Sequence, residues 1–259
     1  VFEATGGYER ALMEALANKA MPFARRNPAR IRYFAKSEGV KAKTDPIDTR
    51  MILRFAQEKD IRADSQANPT RQKIADLLDR RNHLTATLAQ EKNRLQNSSK
   101  TIHASIKRLS KILEKEITAI AKQIRKLVKS DAKLNEQVNI AQSVIGVGEI
   151  TAWTILCCLV EIETLSRNKI VALTGIAPFN NDSGKSKKKR RIQEGRAKVR
   201  KCLYMATKTA ANHNPVIKEY VDALRARGKP YKCAIVAGMR KLLLHLQSLL
   251  KKHNLALAS

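Results

Sequence analysis

Apolar residues recur every three or four positions along most of the chain, which predicts a largely helical protein. The longest such stretch runs from Arg71 to Val128 and contains neither glycine nor proline. Its apolar residues follow the 3–4 spacing of a coiled-coil seam, with Lys, Arg, Gln and Ser between them. We expect two long helices here, a turn at residues 97–99, and a contribution of this hairpin to oligomerisation.

The residues before this stretch alternate between short apolar segments and helical periodicity, which is typical of an α/β layer with parallel strands. Val1–Ala4 and Met21–Ala24 are the predicted strands. The predicted helices are Tyr8–Asn18, Pro28–Lys36 and Thr49–Glu58. We therefore expect an α/β domain at residues 1–64.

After the long hairpin the pattern is helical throughout. The predicted helices are Leu134–Ser143, Ile150–Val160, Arg167–Thr174, Lys198–Asn212, Pro215–Arg227 and Tyr231–Lys251. The last of them aligns six apolar residues on one face, which predicts a packing surface: Ile235, Met239, Leu242, Leu243, Leu246 and Leu250. The expected architecture is thus the α/β domain, a coiled-coil helical spacer at residues 65–130 and a mostly α-helical domain at residues 131–259.

The charge of the chain points to a polyanionic partner. The 259 residues include 51 Lys and Arg against 23 Asp and Glu, a formal net charge of +28, which favours nucleic acid. Aromatic residues make up only 4%, so phosphate contacts are favoured over base stacking. No apolar stretch approaches the roughly 20 uncharged residues of a membrane-spanning helix, so we expect no membrane partner.

Gly146 and Gly148 lie between two predicted helices, in the pattern of a helix-hairpin-helix. Glycine allows a backbone to approach DNA closely, and the first N–H groups of the following helix can hold a phosphate. An ordinary glycine turn is the alternative interpretation. The basic character of the chain favours binding of the DNA backbone.

A dense run of cations extends from residue 185 to residue 201. We interpret it as an arm or hairpin that contacts phosphates, although such runs are commonly solvated faces. The cations expected to bind nucleic acid are Lys185, Lys187, Lys188, Lys189, Arg190, Arg191, Arg196, Lys198 and Arg200.

Ser183 lies just before this run, between an aspartate and a glycine. A serine in such a segment is usually a turn residue. The sequence shows no His/Asp triad that would activate it. A nucleophilic Ser183 would instead need a site in which cations and metal-bound carboxylates position and stabilise a phosphate.

Asp45 and Asp48 flank the predicted start of a helix. One interpretation is a capping box, with Asp45 as N-cap and Asp48 at the third helical position, both favoured by the helix dipole. The other is a metal-binding pair completed by Glu3, at the end of the first predicted strand. Residue spacing alone leaves both interpretations open.

Several motifs occur in the order found in a known family of DNA-mobilising enzymes. Phe2–Glu9 and Lys43–Asp48 resemble the N-terminal DEDD domain of the IS110-type transposases. The residues of these motifs are most similar to those of the IS1111 branch. The motifs that resemble their C-terminal transposase domain are Ile145–Ala152, Leu173–Asn180, Asp182–Lys185, Arg190–Gln193 and His213–Ile217. The resemblance covers nearly the whole chain, and the ordered series is more specific than any single motif.

The resemblance implies a RuvC-like, RNase H-type fold for the first domain and a DNA recombinase of an insertion sequence. It implies guidance by a noncoding bridge RNA that pairs with donor and target DNA. It also implies Mg²⁺ at the DEDD carboxylates, of which Glu3, Asp45 and Asp48 match the second, third and fourth. Ser183 matches the family's serine, which forms a covalent phosphoserine link with DNA.

The same resemblance implies a bacterial cytoplasmic, nucleoid-associated protein that assembles as dimers to tetramers. One departure from the family pattern is that the first DEDD aspartate has no counterpart here, so we expect a polypeptide of these residues alone to be inactive or impaired. Two alternative functions remain open at this point. They are a non-catalytic nucleic-acid-binding protein and a RuvC-like nuclease that uses carboxylates, metal and water.

Overall fold

The computed structural model describes residues 1–40, 44–61, 63–64, 68–179, 191–192 and 194–258. They form two compact units, Val1–Ala67 and Asn68–Ser259, each with its own hydrophobic core. The long hairpin and the C-terminal helices share the core of the second unit. The division into three domains stays a prediction.

The first unit contains a parallel pair of short strands, β1 (Phe2–Glu3) and β2 (Arg25–Arg26), joined through helix α1 (Arg10–Asn18). Helices α2 (Pro28–Ser37) and α3 (Asp45–Glu58) follow. The strand–helix–strand order and parallel pairing agree with the α/β expectation. The second strand begins four residues later than predicted, because its register is set by pairing with β1 rather than by local apolar content.

The core of the first unit is a small layer between α2 and α3. Its buried members are Ile31, Phe34, Ala35, Met51 and Phe55. The rings of Phe34 and Phe55 meet edge to face, with centroids 5.4 Å apart. Helix α2 begins at Pro28 because the side chain of Asn27 accepts a hydrogen bond from the backbone N–H of Ala29, at 2.9 Å.

The start of α3 differs from the predicted capping box. Thr44, not Asp45, is the N-cap, and no side-chain capping bond forms. Asp45 and Asp48 are the first and fourth residues of the helix, one position later than expected. Pro46 fits the second position, where a missing N–H removes no intrahelical bond. Both carboxylates still lie in the first turn, where the helix dipole favours them.

The second unit begins with a helical hairpin of α4 (Pro69–Gln96) and α5 (Lys100–Lys129). The turn at residues 97–99 is where the sequence predicted it. The facing sides of the hairpin bury Ile74, Leu78, Leu84, Leu113, Ile120 and Ile124. A coiled coil between chains stays a prediction.

The remaining helices are α6 (Ala132–Gln142), α7 (Glu149–Cys158), α8 (Arg167–Thr174), α9 (Ala197–His213), α10 (Pro215–Ala226) and α11 (Tyr231–Ala258). A 3-10 turn at Val160–Glu163 ends the segment that had been predicted as helix to Val160. Two short strands, β3 (Pro178–Phe179) and β4 (Arg191–Ile192), pair in antiparallel fashion. The helical character expected of this half is confirmed.

Helix α7 lies at the centre of the second unit and is apolar on all sides. Ala152, Trp153, Ile155 and Leu156 are each at most 1% exposed. Helices α4, α6 and α9 pack around it. The hydroxyl of Thr154 is buried in this environment and donates to the carbonyl of Ile150 one turn earlier, which satisfies it within the helix.

Helix α11 buries all six residues predicted to form its packing face. Gln247 is also buried, and its side-chain amide donates to the carbonyls of Ile162 at 2.8 Å and Leu165 at 2.9 Å. By length and composition alone, Tyr231–Ala256 could cross a membrane, which corrects the expectation that no segment would qualify. Half of that window is buried inside the unit, as in the core helix of a globular domain.

Candidate functional site

The first unit brings together two of the three predicted metal ligands. Glu3, at the end of β1, and Asp48, in the first turn of α3, line one cavity of about 210 Å³. The guanidinium-bearing residue Arg32 of α2 lines the same cavity, with apolar residues of α2 and α3. Asp45 is exposed and is not among the lining residues.

The donor set of this cavity suits a small divalent cation. Mg²⁺ usually keeps several waters and is held by one or two protein carboxylates together with substrate phosphates. Within the described residues no three His, Cys, Asp or Glu side chains cluster, so Asp45 is not gathered with Glu3 and Asp48. Arg32 adds a cation of the kind that binds phosphate, and the sequence reasoning had missed it.

The loop that follows β1 is held by a buried carboxylate. Glu9 is 8% exposed and accepts hydrogen bonds from the backbone N–H of Thr5 at 3.1 Å, its hydroxyl at 2.9 Å, and the backbone N–H of Gly7 at 2.9 Å. Arg25 of β2 forms an ion pair with the same carboxylate at 3.3 Å. Glu9 therefore ties the loop after Glu3 to the neighbouring strand.

These contacts perturb the ionisation of Glu9. Hydrogen bonding by its own backbone is the largest cause, and with the Gly7 and Thr5 bonds it lowers the pKa of Glu9 to about 2 against the opposing effect of burial. Glu9 was not among the functional residues predicted from the sequence. The available signal was a threonine and two glycines just before an acid, the composition of a side-chain-stabilised turn.

The two glycines of the predicted helix-hairpin-helix have different structural roles. Gly146 has φ +100°, and a Cβ placed there would lie 2.6 Å from the Cβ of Ala210 in α9. Gly148 is the N-cap of α7 with φ −84°, and a Cβ placed there would meet no atom within 4 Å. Close packing therefore requires Gly146, whereas the surroundings of Gly148 remain open.

An open groove lies beside this turn and the start of α7, with a volume of about 480 Å³. Its walls include the exposed side chains of Ile145 and Met205. The side chain of Asn214 caps α10 and donates to the carbonyl of Ile145 at 3.4 Å. The first N–H groups of a helix such as α7 have no intrahelical acceptor, so they are available to an anion.

The acidic first residue of α7 is neutralised by a partner. Glu149 accepts two hydrogen bonds from Arg125 of α5, at 2.8 and 2.7 Å. The hydrogen bond from Arg125 is the main reason that the pKa of Glu149 is lowered. An unpaired negative charge at this helix end, which would repel phosphate, is thereby avoided.

The described residues before and after positions 180–190 lie side by side. Strands β3 and β4 pair side by side, and just outside them a Cβ on Gly195 would overlap the backbone of Gly175. The backbone N–H of Arg196 also donates to the carbonyl of Leu173 at 2.9 Å. The chain positions that flank residues 180–190 are thus held together. The predicted site residues Ser183, Lys185, Lys187, Lys188, Lys189 and Arg190 lie outside the described residues.

The other predicted cations have partners within the fold. Arg196 binds Glu161 through two hydrogen bonds and donates to the carbonyl of Cys158 at 2.9 Å. Lys198 forms an ion pair with Asp79, and Arg200 donates to the carbonyl of Glu194. The backbone of Arg191 lies in β4. Contacts of these residues with nucleic acid stay predictions.

Comparison with known proteins gives two family matches. The transposase model for the DEDD domain of IS110 elements matches residues 1–104, and the model described as "Transposase IS116/IS110/IS902 family" matches residues 138–222. A pilin gene-inverting protein of Moraxella bovis is 26% identical over 251 residues, which are 94% of this chain and 77% of the relative. The same figures hold for a pilin gene-inverting protein of Moraxella lacunata.

We predict that Gly146→Ala destabilises the second unit by about 2–4 kcal/mol, through steric overlap with α9 and a left-handed backbone. Gly148→Ala is the matched control and should cost less than about 1 kcal/mol, mainly through its poorer N-cap. Urea unfolding followed by the fluorescence of Trp153, buried in α7, measures both. Equal losses for the two variants would contradict the assigned roles.

Glu9 is predicted to make the first unit sensitive to acid. Because its pKa is lower in the folded than in the unfolded state, its stabilisation is present above about pH 4.5 and disappears as the pH falls towards 2. Across that range the hydrogen-exchange protection of the Phe2 and Ala4 amides should fall about tenfold to a hundredfold more in the wild type than in Glu9→Gln. Glu14→Gln, on an exposed position of α1, should behave like the wild type.

Proposed function

Because this chain belongs to the IS110-type transposases, enzymes that act on DNA, we propose that it recombines DNA through a serine–phosphate covalent intermediate assisted by Mg²⁺-bound carboxylates. The ordered match of both transposase models carries the proposal. The first match contains Glu3 and Asp48, which share a cavity, and the second contains Ser183. The name of the two relatives also describes inversion of a gene, which requires DNA to be cut and rejoined.

In the proposed reaction the Oγ of Ser183 attacks a DNA phosphorus atom. The serine hydroxyl loses its proton as the Oγ–P bond forms. The bond from phosphorus to the leaving sugar oxygen breaks, and that oxygen takes up a proton. Attack by a sugar hydroxyl of the exchanged strand then reverses these changes and releases the serine. A cation held by Glu3 and Asp48 would supply neutralisation of the phosphoryl oxygens.

The chain's own residues have roles in holding the substrate. Arg32 lines the carboxylate cavity and suits a non-bridging phosphate oxygen. The N-terminus of α7 and the open Gly148 suit a second, sequence-neutral phosphate contact, as in a helix-hairpin-helix. The family resemblance also assigns Asp45 to the metal ligands, although Asp45 is exposed and outside the cavity lining.

The proposal extends to partners and assembly. A noncoding bridge RNA would select the donor and target DNA, which is consistent with contacts to phosphates rather than to bases. The α4–α5 hairpin would join copies of the chain into dimers to tetramers. The RNase H-type fold of the complete DEDD domain and a location with the nucleoid in the bacterial cytoplasm belong to the same proposal.

A nuclease of the RuvC type is the second candidate. It is supported by the Glu3–Asp48 cavity, because two carboxylates and a cation suffice to activate water for phosphodiester hydrolysis. This mechanism needs no serine. It therefore differs from the leading proposal in a property that a single substitution tests.

Ser183→Ala is predicted to abolish a covalent protein–DNA adduct, because no other oxygen nucleophile occupies that motif position. The full-length protein, incubated with bridge RNA and nicked donor and target DNA, should yield an adduct that resists denaturation. Ser186→Ala, in the same segment, is the matched control and should retain it. A nuclease would keep cutting DNA in both variants without an adduct, and a binding protein would neither cut DNA nor form the adduct.

Asp48→Asn is predicted to weaken divalent-metal binding by at least about tenfold, because it removes one of two carboxylates at the cavity. Mn²⁺ is a suitable probe, since its paramagnetic resonance signal reports free and bound ion. Asp45→Asn should have a smaller effect, because Asp45 is exposed and outside the cavity lining. Asp60→Asn, an exposed change in the same unit, is the control, and an equal loss in all three variants would exclude a site at the cavity.

A further inference from the structure

A row of cations follows the outward face of α5. Positions 108, 111, 115, 118, 122, 125 and 129 alternate steps of three and four residues, and all seven are exposed. Six of these residues are Lys or Arg, and the exception is Thr118. Arg125 is bound to Glu149. The other five are named here the basic stripe: Arg108, Lys111, Lys115, Lys122 and Lys129.

The packing of the hairpin does not explain the basic stripe. The opposite face of α5 carries the buried residues that contact α4, such as Leu113 and Ile120. One of the two acids of α5, Glu114, pairs with Lys92 of α4 at 2.8 Å. Across the described part of the chain, no ion pair neutralises any member of the stripe.

The excess of positive charge is larger on α5 than on α4. Helix α5 has nine Lys and Arg against two acids, whereas α4, of similar length, has six against three. Like charges three or four residues apart destabilise a helix. A polyanion bound along the stripe would remove that repulsion.

We propose that the basic stripe binds the phosphate backbone of a nucleic-acid duplex lying along the hairpin. From position 108 to position 129 a helix extends about 32 Å, close to the roughly 34–36 Å of one duplex turn. A duplex carries about one charge per 1.7 Å of its axis, and a straight stripe of this length crosses both strands of one duplex turn. None of the five residues of the stripe is among those that line the carboxylate cavity or the groove at Gly148.

The composition of α5 favours a duplex over a single strand. Apart from His103 the helix has no aromatic side chain, so it lacks a platform on which unpaired bases could stack. Lys and Arg on phosphates position a duplex without reading its sequence. DNA and duplex RNA share this backbone chemistry. Both are partners in the proposed function, so the choice of these two ligands rests on that function.

The test compares two variants that each lose four positive charges. In the stripe variant Arg108, Lys111, Lys115 and Lys122 are replaced by Gln. In the control variant Gln replaces four exposed lysines of other helices, namely Lys208, Lys218, Lys232 and Lys252. Gln is a good helix former, so both should fold, which circular dichroism and Trp153 fluorescence check.

Binding is measured by fluorescence anisotropy over a series of salt concentrations, with DNA and RNA duplexes of about 30 base pairs and arbitrary sequence. The stripe variant should bind at least about a hundredfold more weakly near physiological salt. The slope of log K against log salt concentration should be shallower by about three to four. The control variant should lose less than about threefold. The duplex whose affinity falls more identifies the ligand as DNA or RNA.

Three results would overturn the proposal. They are wild-type affinity in the stripe variant, equal losses in both variants, which would indicate diffuse attraction, and an equal loss for a single strand. The covalent adduct at Ser183 is assayed separately. If the stripe variant loses duplex binding and the wild type forms no adduct, the proposed reaction is rejected. The proposal that the basic stripe binds a duplex is then still supported.

Discussion

Helix α7 must be covered on every side, and much of the second unit serves to cover it. Burial of a large apolar side chain contributes about 1.5–3 kcal/mol, and Trp153, Ile155 and Leu156 are all buried here. Helices α4, α6 and α9 enclose them. Since α6 leads directly into α7, the turn between them has to pass against α9, where Gly146 leaves room for Ala210. The geometry of the candidate phosphate site is thus a consequence of how the core closes.

The same core determines where the serine segment is attached. Helix α8 ends at Gly175, whose left-handed backbone turns the chain towards β3. Gly195 crosses it where the chain returns into α9, and Arg196 is fixed at that point by Glu161. The described residues on either side of positions 180–190 are therefore held by contacts that are continuous with the buried helices. Fixed attachment points lower the entropy cost of positioning the residues between them.

Most helices could be predicted because burial imposes the 3.6-residue period directly on the sequence. Helix α8 was predicted at its observed bounds, since Gly175 marks its end, and the turn at residues 97–99 interrupts a long apolar period. Helix starts were less certain. Thr44 and Asp45 are both good capping residues, and local sequence does not decide between them.

Long-range features could not be predicted from local patterns. The position of β2 depends on its register with β1, and its two arginines have no apolar alternation. The family resemblance assigned Glu3 and Asp48 to one metal site. That Arg32 lines the same cavity follows only from the packing of α2. The separate roles of Gly146 and Gly148 likewise depend on α9, more than fifty residues away in the sequence.

The distribution of charge separates cations that hold the fold from cations that need a partner. Arg125, Arg196 and Lys198 each bind an acid of the same unit, which fixes the ends of α7 and α9. Internal pairing has a strict limit, however. Even if each of the 23 acids neutralised one cation, 28 of the 51 Lys and Arg would remain uncompensated. Their mutual repulsion disfavours the compact state unless counterions or a polyanion compensate it. Binding of DNA, the proposed substrate, would relieve this repulsion.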